Sequence, residues 1–260
     1  MDYQMQYYEI EDFWNGVPDE LDIKRIEKVN ELIPPDVTSI LDVGCGNGIF
    51  INYLINQPRK YLRLHGVDRS LTALNFVKAE KTQASIEKLP FNAGEFGLLV
   101  CLEVLEHLPQ QIFQQALIEL ARVSSKYIIV TVPNEQNLEL EQIRCPNCFT
   151  RFNPDLHLRS FNIKNLKDLF IAYGFTCKKV VPTGQVRHYL LLSNILQLKS
   201  KYGHLTNQWH FDIICPVCGA NIPRRTDEIM FKFKNFIKKM WPKTNKKRWL
   251  LALYERTDHL

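Results

Sequence analysis

The stretch Ile40-Leu-Asp-Val-Gly-Cys-Gly-Asn-Gly-Ile49 decides the fold of this chain. Its apolar start is typical of a buried strand, and its glycines indicate a tight turn that leads directly into a helix. Glycine has no Cβ and tolerates positive φ angles, so Gly44, Gly46 and Gly48 allow a ligand to approach the backbone. The pattern predicts a strand, a ligand-binding loop and a helix in immediate succession.

A second short apolar stretch, Leu64-His-Gly-Val-Asp68, ends in a carboxylate. In a doubly wound sheet the ends of these two strands lie side by side, so Asp68 can accept hydrogen bonds from both hydroxyls of a ribose. We therefore expect a nucleoside to bind between the glycine-rich loop and Asp68. Dinucleotide oxidoreductases are the alternative class with such a loop and acid.

Two further segments narrow the class of protein. They are Ala84-Ser-Ile-Glu-Lys-Leu-Pro-Phe91 and Glu103-Val-Leu-Glu-His107, the second of which follows an apolar run. With them the chain resembles class I S-adenosylmethionine-dependent methyltransferases, in particular the type 11-like subgroup whose strand ends in EVLEHL. That strand end argues against the oxidoreductases. The family usually carries an acid at Ser85, so the adenine contact is expected to rest more on the Ile86 backbone. The resemblance implies that the cofactor pocket is formed by Asp42, Gly44, Cys45, Gly46, Gly48, Asp68, Arg69, Ser85, Ile86 and Cys101.

The length and the pattern of elements fit one catalytic domain with additions. The chain has 260 residues, of which 45% are hydrophobic, enough for a sizeable core. Strands that alternate with helices predict an α/β fold, and the resemblance implies a seven-stranded, mostly parallel Rossmann-like sheet with a cysteine-rich insert. We predict a helical cap over 1–37, the methyltransferase domain over 38–223 and basic amphipathic helices over 224–260. No internal repeat is evident.

Composition limits the location and the partners. No apolar stretch is long enough to span a membrane, and the N-terminus lacks the features of a signal peptide. The 7 cysteines suit a reducing compartment, so we expect a cytoplasmic protein. The tail carries Phe233, Phe236 and Trp241 at helical spacing among lysines. It is predicted either to pack on the domain or to contact an anionic membrane surface or nucleic acid, while the oligomeric state stays open.

Two cysteine pairs, Cys145-Pro-Asn-Cys148 and Cys215-Pro-Val-Cys218, predict a structural zinc site. Such turns direct both sulfurs at one ion, and four thiolates close a tetrahedral set. The alternative is two unrelated turns with free thiols. If Trp209–Ile214 is the last antiparallel strand of the sheet, its end points away from the first pair. That case leaves open a zinc shared between two chains or a different strand assignment.

The catalytic prediction centres on Glu103 and His107, at the carboxyl edge of the sheet. His107 is a candidate base for a hydroxyl acceptor, and the alternative is a buried residue that shapes the pocket. The set Glu103, Glu106 and His107 resembles one found in some RNA 2′-O-methyltransferases. Those enzymes hold a divalent ion with that set and one additional histidine. By that resemblance Glu103, Glu106, His107 and His157 would bind magnesium or manganese.

The resulting functional prediction is S-adenosylmethionine-dependent O-methylation of a sugar or another small hydroxyl-bearing metabolite. A metal-dependent RNA 2′-O-methyltransferase is the enzymatic alternative. A zinc-containing adaptor with a vestigial cofactor pocket is the alternative from another class.

Overall fold

The computed structural model describes residues 8–139, 141–189, 199–200, 203–204, 212–223 and 243–257. It divides into two compact units. The sheet unit comprises Tyr8–Glu135, Phe161–Gly184 and Lys247–Leu260, and the cysteine unit includes Gln136–Ser160 and Gln185–Lys246. Segments distant in the sequence therefore build each unit, and both cysteine pairs belong to the cysteine unit.

The sheet unit is built on a seven-stranded sheet with the order β3-β2-β1-β4-β5-β13-β8. The pairs among β3, β2, β1, β4 and β5 are parallel, and β13 runs antiparallel to β5. This is the predicted Rossmann-like arrangement, which is confirmed. The strands are β1 (Ser39–Val43), β2 (Arg63–Asp68), β3 (Glu80–Gln83), β4 (Phe96–Leu102), β5 (Ser124–Pro133), β8 (Phe175–Tyr189) and β13 (Lys243–Arg256).

Helices cover the sheet and carry its connections. They are α1 (Glu11–Trp14), α2 (Glu20–Leu32), α3 (Ile49–Ile55), α4 (Leu71–Leu74), α5 (Gln110–Val123) and α6 (Ile163–Asp168), with 3₁₀ turns at Leu105–His107 and Ile171–Tyr173. Asp19 begins α2 by accepting a hydrogen bond from the Asp22 N–H at 2.8 Å. Ser70 begins α4 in the same way, through the Ala73 N–H at 3.0 Å. Among the described residues, no helix is both long and apolar enough to cross a bilayer.

Apolar side chains are buried on both faces of the central strands. In β1, Leu41 and Val43 pack on one face with α5, whereas Ile40 packs on the other with α2 and α3. Successive residues of a strand point to opposite faces, so a sheet covered on both sides requires apolar residues at both sets of positions. The carboxyl edge of this sheet is where the predicted site residues fall.

The prediction of helices over 224–260 is wrong for its described part, because β13 is the antiparallel strand beside β5. Trp249 and Leu251 pack with one core cluster, and Leu250, Ala252 and Tyr254 pack with the other. A run that is apolar at every position does not distinguish a buried helix from a strand covered on both faces. Phe233, Phe236 and Trp241, on which the amphipathic helix rested, lie outside the described residues.

The cysteine unit contains short antiparallel strands: β6 (Ile143–Arg144), β7 (Arg151–Phe152), β9 (Lys199–Ser200), β10 (Gly203–His204), β11 (Ile213–Ile214) and β12 (Asn221–Ile222). β6 and β7 form one hairpin, and β11 and β12 form another. Ile213–Ile214 therefore belongs to a hairpin and not to the last strand of the large sheet. The predicted bounds of the methyltransferase domain, 38–223, differ from those of the sheet unit. They include most of the cysteine unit and exclude β13.

Candidate active site

The glycine-rich loop after β1 is held to the neighbouring strand by backbone hydrogen bonds. The N–H groups of Gly44 and Cys45 both donate to the Val67 carbonyl, at 2.8 and 3.0 Å. Gly46 has a φ of 52°, and a Cβ there would lie 2.6 Å from the Trp14 ring. Glycine at this position therefore satisfies both the left-handed backbone and a close approach by the protein's own side chain.

Two buried carboxyl groups, Asp42 and Asp68, flank this loop. Asp68 Oδ2 accepts from the Gly46 N–H at 2.8 Å, and Oδ1 accepts from the Ser70 N–H at 2.9 Å. Burial raises the pKa of Asp68. Asp42 is 2% exposed at the end of β1. Burial, and then the negative charge of Asp68, raise its pKa to about 8. Both predicted pocket acids thus stand at one edge of the sheet.

The segment Tyr8–Trp14, here called the N-terminal strap, lies over the loop and was not identified from the sequence. The Trp14 indole N–H and the Ser70 hydroxyl both donate to the Tyr8 carbonyl, at 2.7 and 2.8 Å. The Asn47 side-chain amide donates to the Trp14 carbonyl at 2.8 Å. The aromatic residues near the N-terminus were the only sequence signal for this strap. They do not indicate which loop it covers, because the glycine-rich loop is distant in the sequence.

Other predicted pocket residues are placed beside or behind the loop. The Arg69 guanidinium lies 5.3 Å from the centre of the Tyr8 ring. Ser85 hydrogen-bonds to Glu87, so an acid does stand at this edge two positions from where the family usually carries it. Ile86 is 9% exposed. Cys45 and Cys101 are buried, and burial raises the pKa of both thiols.

Glu103, just after β4, is tied to the body of the sheet unit. Its backbone φ is 56°, unusual for a residue other than glycine. The Thr131 hydroxyl donates to Glu103 Oε1 at 2.8 Å, and the Arg25 guanidinium lies 3.7 Å from the same oxygen. Burial raises the pKa of Glu103, and the Arg25 charge opposes that change. These contacts describe a carboxylate that holds the turn after β4 in place.

Glu106 and His107 lie in the 3₁₀ turn that follows Glu103. The Glu106 side chain is fully buried, and neither of its oxygens has a hydrogen-bond partner among the described residues. Burial, and then the charge of Glu103, raise its pKa well above the ordinary value. His107 Nδ1 lies 3.4 Å from the Tyr8 hydroxyl. The edge of the sheet therefore carries a buried carboxyl group with a raised pKa next to an imidazole.

The four predicted zinc ligands come together within the cysteine unit. Their sulfurs all lie within 4.8 Å of one another. The distances from Cys145 Sγ to Cys218 Sγ and from Cys148 Sγ to Cys215 Sγ are both 3.7 Å. A disulfide needs about 2.05 Å, whereas Zn–S bonds of about 2.3 Å place tetrahedral sulfurs about 3.8 Å apart. The arrangement fits zinc and excludes disulfides between these pairs.

Backbone bonds build both cysteine turns in the same way. The N–H groups of Phe149 and Gly219 donate to the carbonyls of Cys145 and Cys215, at 3.1 and 3.0 Å. The two hairpins therefore form a local repeat, which is not evident in the sequence because the residues between and after their cysteines differ. Contacts with Thr150 lower the pKa of the Cys148 thiol to about 6. His157 also lies in this unit, where its ring contacts Gln136 Oε1.

Comparison with known proteins assigns the chain to a family. The family model described as a methyltransferase domain matches residues 17–180. The chain therefore belongs to this family of methyltransferase domains, as the resemblance implied. The dinucleotide alternative is wrong.

The curated relatives match in part. An uncharacterized protein of Methanocaldococcus jannaschii is 34% identical over 162 residues, which cover 61% of this chain and 66% of that protein. A probable S-adenosylmethionine-dependent methyltransferase of Mycobacterium tuberculosis (strain H37Rv) is 28% identical over 64% of this chain and 57% of its own length. A ubiquinone biosynthesis O-methyltransferase of Albidiferax ferrireducens is 29% identical over 33% of this chain and 37% of its own length. The chain thus spans less than two thirds of the length of the relatives described.

Solved structures support the fold. A methyltransferase from Archaeoglobus fulgidus matches with a TM-score of 0.54 at 15% identity, over 96% of this chain and 99% of that one. A methyltransferase from Mesorhizobium loti matches with a TM-score of 0.52 at 13% identity, over 88% and 96% of the two chains.

Proposed function

We propose that this methyltransferase acts on a hydroxyl group, and that the acceptor is a sugar or another small hydroxyl-bearing metabolite. The observation that carries the proposal is the imidazole of His107 at the carboxyl edge of the sheet, with Nδ1 3.4 Å from the Tyr8 hydroxyl. An O-methyltransferase needs a group that takes the acceptor proton, and a histidine serves this purpose near neutral pH. Partial matches to ubiquinone biosynthesis O-methyltransferases support transfer to oxygen.

The cofactor assignment follows the geometry of the loop. In the proposed complex Asp68 holds the ribose, since each oxygen already bound by one N–H retains a lone pair for a ribose hydroxyl. When bound, S-adenosylmethionine would supply an electrophilic methyl group for transfer to the acceptor oxygen. His107 would take the proton that the acceptor hydroxyl releases. Alignment by the surrounding residues contributes most of the rate.

Glu103 is assigned to the same chemistry as a positioning residue. Its contacts with Thr131 and Arg25 fix the start of the turn that carries His107.

The base is tested by methyl transfer from S-adenosylmethionine to a panel of hydroxyl acceptors and their deoxy analogues. We expect His107→Ala and His107→Asn to lose turnover by at least about 100-fold, with cofactor affinity unchanged, because only the proton acceptor is removed. Tyr8→Phe, which removes one contact of the ring, should cost far less. Normal turnover in His107→Asn would contradict the assignment.

A metal-dependent RNA 2′-O-methyltransferase stays the second candidate. Glu106 favours it, since a buried carboxyl group with both oxygens unpartnered among the described residues is a suitable ligand beside an imidazole. Glu103, by contrast, is engaged by Thr131. Chelation separates the candidates: EDTA should leave a base-catalysed enzyme active and should stop a metal-dependent one until magnesium or manganese is restored.

We further propose that Cys145, Cys148, Cys215 and Cys218 hold one structural zinc. The two distances of 3.7 Å support this proposal, and a set of four thiolates leaves no open coordination position. Elemental analysis of protein purified without added metal should give about one zinc per chain. Metal-free protein with four readily alkylated thiols would refute it. The adaptor alternative is not supported, because the chain belongs to an enzyme family.

Two assignments stay predictions. A cytoplasmic location rests on cysteine usage, since all 7 cysteines are free. The contact of the basic tail with a membrane surface or nucleic acid rests on residues outside the described part of the chain.

A further inference from the structure

The two cysteine hairpins are aligned residue for residue, which makes one a built-in reference for the other. Ile143-Arg-Cys-Pro-Asn-Cys-Phe-Thr-Arg-Phe152 corresponds to Ile213-Ile-Cys-Pro-Val-Cys-Gly-Ala-Asn-Ile222. The first pairs Ile143 with Phe152, and the second pairs Ile213 with Ile222. The hairpins share their isoleucine, their cysteines, their proline and a buried apolar end. Features found in one hairpin only are therefore not required by the fold of the turn or by zinc.

Phe149 is the first such feature. It occupies the left-handed position after the second cysteine with a φ of 64°, where the other hairpin has Gly219 with a φ of 70°. A side chain in this conformation costs about 1–2 kcal/mol relative to glycine. The Phe149 side chain is nevertheless 60% exposed, so burial does not offset that cost. An exposed aromatic ring at a strained position points to a role outside the fold.

Arg144 and Arg151 are the second feature. They lie directly opposite each other in the hairpin and are exposed, whereas Ile143 and Phe152 face the buried side. Two like charges across a strand pair repel each other. Neither guanidinium has an ion-pair partner among the described residues. The other hairpin carries the uncharged pair Ile214 and Asn221 at these positions.

These three side chains form one surface, here called the knuckle patch: Arg144, Phe149 and Arg151. The Arg144 guanidinium lies 4.7 Å from the centre of the Phe149 ring. Opposite residues of an antiparallel pair have Cβ atoms about 5 Å apart, so both guanidiniums can reach one dianionic group. Phe149 is the one exposed aromatic among the described side chains of the cysteine unit, which provides a stacking surface for a single base.

We propose that the knuckle patch binds a nucleoside diphosphate group. The diphosphate lies between the guanidiniums of Arg144 and Arg151, and its negative charge removes their mutual repulsion. The base stacks on the exposed part of the Phe149 ring. The proposal rests on residues of the cysteine unit alone and is independent of the identity of the methyl acceptor.

The test is calorimetric titration of the zinc-loaded full chain with UDP, in the presence of saturating S-adenosylhomocysteine, which fills the cofactor pocket. Each variant takes the residue of the other hairpin: Phe149→Gly, Arg144→Ile and Arg151→Asn. Val217→Ala is the matched control, because Val217 is an exposed apolar residue at the tip of the second hairpin, at 57%. Pyrophosphate serves as a probe without a base, and a short oligouridylate as a longer ligand.

We expect Phe149→Gly to weaken UDP by about tenfold while pyrophosphate binding changes by less than about twofold, because only stacking is lost. Each arginine variant should weaken both probes by about tenfold and reduce the salt dependence of binding by about one counterion. Val217→Ala should bind both normally. Phe149→Gly also relieves backbone strain, so its thermal stability should equal or exceed that of the natural chain, which separates loss of binding from loss of folding.

Two results would overturn the proposal. One is the absence of UDP binding at millimolar concentration, or binding that the three patch variants leave unchanged. The other is oligouridylate binding more than tenfold tighter than UDP that is lost in the same variants, which would assign the patch to single-stranded nucleic acid instead.

Discussion

Replacing Asp42 by asparagine should stabilise the cofactor-free protein by several kcal/mol at neutral pH. Burial and the charge of Asp68 raise the pKa of Asp42 from an ordinary value of 3.8 to about 8. The native state therefore keeps this carboxyl group protonated at pH 7, while the unfolded chain ionises it. Each pH unit between the two pKa values is worth about 1.4 kcal/mol, so the cost reaches about 4 kcal/mol at pH 7.

The direction of the pH dependence follows from the proton count. The native state binds more protons than the unfolded state between about pH 4 and pH 8, so stability falls as the pH rises through this window. Asp42→Asn removes the effect. Its advantage over the natural chain should be near zero at pH 4, grow steadily, and level off above about pH 8. Since Asp42 is 2% exposed, solvent screening reduces this free-energy difference little.

Urea denaturation at several pH values, followed by tryptophan fluorescence, measures this difference. Asp36→Asn is the matched control, because Asp36 is 46% exposed at the side chain and pairs with Lys126. The Lys126 contact lowers the pKa of Asp36, so its small contribution is lost as the pH falls and has the opposite sign. Parallel pH profiles for Asp42→Asn and the natural chain would refute the reasoning. Weaker S-adenosylmethionine binding by the stabilised variant would explain why the chain retains an acid here.

The remaining predictions concern the loop, the base and the metal. Gly46→Ala should destabilise the sheet unit by about 1–2 kcal/mol and displace Trp14, whereas Gly16→Ala, with no atom within 4 Å of the added carbon, should not; a thermal melt that is the same for both would contradict the strap. If His107 is the base, turnover should fall with the loss of one ionisation as the pH is lowered, and a pH-independent rate in the same range would exclude that role. Cys148→Ser should lose zinc and expose the cysteine unit, but not the sheet unit, to limited proteolysis; protection equal to that of the natural chain would show that the metal does not hold the hairpins.

Local patterns predicted the sheet unit well where sequence neighbours determine the structure. Local pattern is enough to determine helix α5 (Gln110–Val123), because its apolar residues recur at helical spacing and Pro109 precedes it. Strand β1 (Ser39–Val43) lies where the apolar run before the glycine turn predicted a buried strand. β13 was missed because the run around Trp249 is apolar at every position, and pairing with β5 decides its conformation.

The parts of the site that depend on distant contacts were not predicted. Trp14 approaches Gly46 and Tyr8 approaches His107 through packing that no local pattern encodes. The correspondence of the cysteine hairpins was hidden because their tips differ in charge and size. The two cysteine pairs predicted that Cys145 and Cys218 would lie at one zinc site. The sequence did not predict that Ile213 belongs to a short hairpin, which is the strand assignment that allows this contact.

A crystal structure of the complex with S-adenosylhomocysteine is the most direct test of the assigned cofactor site. Both ribose hydroxyls should lie within hydrogen-bonding distance of the Asp68 carboxylate, and the sulfur should face the turn that carries His107. A ligand whose ribose does not contact Asp68, or whose sulfur faces away from His107, would contradict it.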